Sequence, residues 1–165
     1  MDRQAESIPP CRAGAARGNL IGVLGRLLAF PTITVAALNG HAFAGGAMLA
    51  LAHDFRVMRE DRGYLCLPEV DIRIPFTPGM SMLIQAKLAI RTAHEAMVTG
   101  RRYNAEQAVR ASVVHEAAQE ADVLPRAIAV TKTHAGKHVG TLGTIKRTMY
   151  APALVALATA STPRA

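Results

Sequence analysis

The chain has 165 residues, half of them hydrophobic, which suffices for one core and is too little for two independent domains of ordinary size. Nineteen Lys and Arg against twelve Asp and Glu leave a formal charge of +7, a balance that favours anionic partners. Nucleic acid is not expected among them, because the basic residues are scattered, tryptophan is absent, and only four Phe and three Tyr could stack on bases.

Residues 1–18 combine Pro9-Pro10 with small side chains and scattered charges, have no period to bury, and predict a disordered segment. From Asn19 the residues Leu20, Val23, Leu24, Leu27 and Leu28 recur at helical spacing until Pro31, which predicts a short amphipathic helix. Residues 32–38 are β-branched and nearly all apolar, the pattern of a strand buried on both faces, and Asn39-Gly40 ends it as a turn. A helix over 45–53 follows, opening on Gly45 and Gly46, and strands are expected over 55–58 and 64–67. Pro68 confines the last of these to an edge or end position.

Pro75 and Pro78-Gly79 break the chain before a helix over 80–88, and a helix over 90–99 is closed by Gly100 as the residue just past its end. Helices are expected over 105–111, 124–134 and 142–160, with a short strand at Val113 and Val114. No apolar run reaches the roughly 20 residues that cross a bilayer, so no membrane span is expected. Cys11 and Cys66 stand alone, without a CxxC pair or a His-rich neighbourhood, so neither a disulfide framework nor a metal site is indicated. With no apolar leader and no peroxisomal ending, a reducing, cytoplasmic location is the expectation.

One stretch carries chemistry. A buried strand, a turn and a helix opening on glycines at 45 and 46 leave backbone N–H groups unpaired at the helix start, where the helix dipole favours negative charge. That is how a hole for an oxyanion is built. Downstream, Glu69 in Pro68-Glu69 is a carboxylate at the end of an apolar strand, where burial would raise its pKa toward that of a useful base. Taken alone, the glycines and the glutamate fit equally a tight turn and a solvated carboxylate.

The order of these pieces over residues 30–116 resembles the crotonase (enoyl-CoA hydratase/isomerase) superfamily: Asn39-Gly40, then Ala44-Gly45-Gly46 opening a helix, then Asp54, Pro68-Glu69 and Pro78-Gly79. The segment from Gly100 to Ala108 matches that family's helix entry as well, with Ser112 where a glycine is usual. The resemblance implies an α/β fold, a crotonase-like β-β-α spiral core over 19–116 followed by a C-terminal helical region over 117–165. It also implies several strands ahead of Pro31, with a second oxyanion donor, that residues 1–18 do not resemble, so an N-terminally incomplete core is expected. In the family the amide at the position of Gly45 helps hold the thioester oxygen. Hydratases carry two glutamates; here the first position is Met48 and the second is Glu69.

A single carboxylate suits moving a proton between two carbons better than adding water. The resemblance therefore points to the single-glutamate isomerase branch: Glu69 would take a proton α to the thioester carbonyl and return it at the γ carbon. A hydratase or another reaction of the superfamily, and a non-catalytic interaction subunit, stay open as alternatives. Ala44, Gly46, Met48, Phe76, Met80 and Leu83 are the implied substrate contacts, with core packing the competing reading for the last three. An acyl-CoA thioester is the implied partner, no cofactor beyond it is expected, and a homotrimer or hexamer through the C-terminal helices is implied. His41 and the His53-Asp54 pair read as structural, Asp71 as a solvent or capping residue, and Lys146 and Arg147 as a solvated face or, alternatively, contacts to CoA phosphates.

Overall fold

The computed structural model describes residues 10–161, with side chains described over 19–159. In chain order the elements are α1 (Pro10–Leu28), β1 (Val35–Leu38), β2 (Ala42–Phe43), α2 (Gly45–Ala52), β3 (Phe55–Arg59), β4 (Leu65–Cys66), α3 (Pro78–Lys87), α4 (Ile90–Thr99), α5 (Ala105–Arg110), β5 (Glu116–Ala118), α6 (Val123–Thr133), α7 (Val139–Met149) and α8 (Ala151–Ser161). Short 3-10 turns occupy Pro68–Val70 and Glu120–Asp122. All ladder pairing between named strands is parallel, in two sheets of order β1-β3-β5 and β2-β4.

Alternation along β1 and β3 divides the apolar residues between two layers, as side chains on a strand must point to opposite faces. Ala36, Leu38 and Met58 join the main core, whereas Val35 and Val57 pack with Ala118, Val123 and Ala127 in a smaller cluster under α6. β1 is an edge strand with Ala37 exposed, so the expected burial of this strand on both faces is not what forms. The third strand of the sheet is Glu116–Ala118 rather than Val113 and Val114, which are buried in the main core just before it.

Residues 10–18, whose composition predicts disorder, form the first half of α1; residues 1–9 lie outside the described residues. Ala13, Ala15 and Ala16 favour helix locally, and the stretch needs no nucleus of its own because it extends a turn already packed through Ile21, Leu24 and Leu28. The long C-terminal helix expected over 142–160 is broken at Tyr150 into α7 and α8. α8 then packs across α1 and α3, and the contact with α3 is unusually close. A Cβ on Gly79 would stand 2.8 Å from the Leu157 main chain, so only glycine fits the seam.

Candidate active site

β2 and β4 are neighbours in register, Ala42 beside Leu65 and Phe43 beside Cys66. Ala44 N–H continues the ladder to Cys66 O at 3.0 Å, and beyond that point both chains leave the same carboxyl edge of the pair. One turns into α2 through Ala44 and Gly45, the other into the 3-10 turn that carries Glu69. Parallel strands thus place two segments distant in sequence at one edge, where α/β folds form their clefts. A cavity of about 270 Å³ lies there, lined by Ala44, Gly45, Met48, Glu69 and Met80 together with Leu20 of α1.

α2 has no side-chain cap, so its first-turn N–H groups have no acceptor from that source. Among the described residues no hydrogen bond from Gly45 N–H occurs. Ala44, which delivers the chain into the helix, takes φ 49° and ψ −119°, a conformation that favours glycine and strains alanine. Leu20 closes the opposite wall: a Cβ on Gly45 would stand 2.8 Å from its Cδ2, so a larger residue there would push the Leu20 side chain aside.

Glu69 is 5% exposed, and its Oε2 has no hydrogen-bond partner among the described residues. Burial pushes its carboxyl above the ordinary carboxylate range, opposed in part by a backbone hydrogen bond. An apolar wall around a carboxylate with one unpaired oxygen is an environment for accepting a proton, since an ionised group there is poorly solvated and its conjugate acid is favoured. Met48, 2% exposed, offers no second proton carrier.

The remaining sequence candidates fall into place around this centre. Phe76 lines an adjoining cleft of about 500 Å³ that shares Glu69, Ile74 and Pro75 with the first cavity. Leu83 is fully buried in the core and Gly46 is exposed; neither lines the two cavities. Glu69 sits on a 3-10 turn started by Pro68, not at the end of a strand. Asp71 is exposed, and its N–H closes the turn to Pro68 O at 2.9 Å. His41 stacks on Tyr64 and tilts against Phe43, outside the cavity.

Lys146 overturns both readings made of it, because it is 2% exposed and neither solvated nor available to phosphate. Its Nζ lies 2.5 Å from Asp54 Oδ2 and donates to Phe30 O and Thr32 O. Asp54 also accepts from Thr34 N–H and Oγ1–H, which fixes the residues leading into β1. Arg56, which the sequence did not single out, is buried as well. Its guanidinium donates to Val113 O, Ala50 O, Leu51 O and His53 O and so closes the end of α2; burial lowers its pKa to about 10. Leu20, Ile72 and Ile74 complete the cavity wall, and no sequence signal separates them from ordinary amphipathic residues.

Similar proteins share this arrangement of elements. Enoyl-CoA delta isomerase 3 of Arabidopsis thaliana is 44% identical over 99 residues, a match that covers 59% of this chain and 42% of that protein. The chain therefore spans less than half the length of this relative and of the other two enoyl-CoA delta isomerases of that plant that it matches. An apo enoyl-CoA isomerase from Mtb superposes with a TM-score of 0.84 at 25% identity, covering 90% of this chain and 66% of that one. Human mitochondrial delta3-delta2-enoyl-CoA isomerase superposes at 0.85 with 20% identity, over 93% of this chain and 60% of that one, a likeness of fold. The fold is crotonase-like α/β, and no helix among the described residues is long and apolar enough to cross a membrane. The family model for enoyl-CoA hydratase/isomerase matches residues 9–164, and the chain belongs to that family.

Proposed function

We propose that this chain carries the proton-transfer centre of a 3-enoyl-CoA to 2-enoyl-CoA isomerase. The observation that supports this most is the buried carboxylate of Glu69, one oxygen of which has no partner among the described residues, lining one cavity with the glycine that opens α2. In this reading the thioester oxygen accepts from Gly45 N–H, and Glu69 takes a proton from the α carbon. The electron pair left behind moves into the enolate, with its charge on the oxygen held at Gly45. Protonation by the same carboxyl at the γ carbon then re-forms the carbonyl and leaves the double bond conjugated. Proton and electron pair are conserved, so the reaction needs no cofactor beyond the thioester.

Met48 is the observation that favours isomerisation over hydration, since a thioether cannot activate water. The expected assembly is a homotrimer or hexamer through the C-terminal helices, which expose Ile145, Met149 and Val155; sedimentation of the full chain measures it. A reducing location in the cytoplasm goes with this reading. The test is a spectroscopic one. Purified chain mixed with a 3-enoyl-CoA should raise the ultraviolet absorbance of the conjugated product, and Glu69→Gln should remove that rise. A variant as fast as the parent sinks the role given to Glu69.

A further inference from the structure

Glu69 stands between two spaces, and the second has a feature that the isomerase reading leaves unused. The adjoining cleft of about 500 Å³ is walled by Val70, Phe76 and Met97, with Arg73 and Ser81 as its polar side chains besides Glu69. Ser81 Oγ is occupied, accepting from Gln85 Nε2 at 2.9 Å. Arg73 is different: among the described residues its guanidinium has no ion pair and no hydrogen bond.

The backbone beneath it is costly. Ile74 N–H donates to Glu69 O at 3.0 Å, and Arg73 N–H reaches Val70 O at 3.4 Å, the paired bonds that end a helical turn with a left-handed residue. That residue is Arg73, with φ 58°, at a position where glycine is favoured and a long side chain is strained. Strain held beside a reactive group asks for a compensating role.

We infer that Arg73 is a specificity-determining residue that pairs with a negative charge at the far end of the acyl chain. This rests on the isomerase reading above. With the thioester oxygen at Gly45 and the reacting carbons at Glu69, the cleft beyond Glu69 takes the rest of the acyl chain, and its apolar walls suit methylenes. A free cation at its rim then suits a terminal carboxylate, and the substrate class is the CoA thioester of an unsaturated dicarboxylic acid.

The experiment compares 3-octenoyl-CoA with its ω-carboxylate, 3-octenedioyl-CoA, for kcat/KM in the parent, Arg73→Gln and Arg73→Gly. The parent should prefer the dicarboxylate by roughly three- to fivefold, as a partly exposed ion pair allows. Both variants should lose that preference and keep their rate on 3-octenoyl-CoA, and Arg73→Gly should also melt higher than the parent. No preference in the parent overturns the inference. So does an equal loss on both substrates, which assigns the charge of Arg73 to a CoA phosphate. Calorimetry with the saturated thioesters octanoyl-CoA and suberyl-CoA separates the two readings. Tighter, Arg73-dependent binding of suberyl-CoA without turnover of either octenoyl substrate refutes the isomerase alone, and equal or absent binding refutes the role of Arg73.

Discussion

Two groups of charge lie at opposite ends of α2, and they are treated in opposite ways. At its carboxyl end Lys146 and Arg56 are enclosed and Asp54 is partly buried, and each is matched: Asp54 by Lys146 and Thr34, Lys146 by two carbonyls besides, Arg56 by four carbonyls. At its amino end Glu69 is enclosed too, yet one of its oxygens has no partner among the described residues. A matched charge fixes geometry and has no capacity left over. An unmatched one is costly to the fold and is therefore where chemistry is to be sought.

Removing a partner from the matched group should produce the largest effect. Lys146→Met leaves the partly buried Asp54 carboxylate with Thr34 as its remaining partner, and denaturant unfolding should report a loss of about 3–5 kcal/mol. A loss below about 1 kcal/mol would mean that water reaches Asp54, and the contrast between the two groups would fail. Glu69→Gln should act in the opposite direction, raising stability at neutral pH by roughly 1–3 kcal/mol while removing activity, because it deletes an ionised group that the pocket does not solvate.

The pH dependence sharpens the same point. Because burial raises the Glu69 carboxyl, the folded chain holds that proton more tightly than the unfolded one. Its contribution to stability is then complete below the ordinary glutamate value of 4.5 and lost as pH rises through the raised value. The gap in Tm between Glu69→Gln and the parent should open across that window and stay constant above it, while isomerisation by the parent rises through the same window. Smallest of the set, Ala44→Gly should gain about 1 kcal/mol by relieving φ 49°, a gain partly offset by the freedom of glycine in the unfolded chain.

The sequence singles out the residues at the amino end of α2 and not the charged group at its carboxyl end. Gly45 and Glu69 stand out through the order of Asn39-Gly40, Ala44-Gly45-Gly46 and Pro68-Glu69, since each piece alone fits a bland reading as well, and Glu69 reads there as the end of a strand rather than as part of a turn. The type of that turn was missed, since Pro68 permits both the end of a strand and the first position of a 3-10 turn, and only the pairing of β4 with β2 decides. Lys146 was misread because a lysine among Thr144, Arg147 and Thr148 looks solvated. What buries it is Asp54, 92 positions away, together with the carbonyls that flank Pro31. Strand pairing of Glu116–Ala118 rather than Val113 and Val114 has the same origin: the apolar pair is claimed by the main core, and the polar edge is left to the ladder.

The seam at Gly79 ties the far end of the chain to this cavity. Main chain meets main chain there, with no flexible side chain between to absorb a displacement, and Met80, the next residue, is part of the cavity wall. A displacement of α8 would therefore pass to that wall with little slack to absorb it. Whatever settles on the outer face of α8, where Val155 is 67% exposed, pushes directly on the volume available beside Glu69, so contacts made far from the reacting carbons can set how tightly they are held.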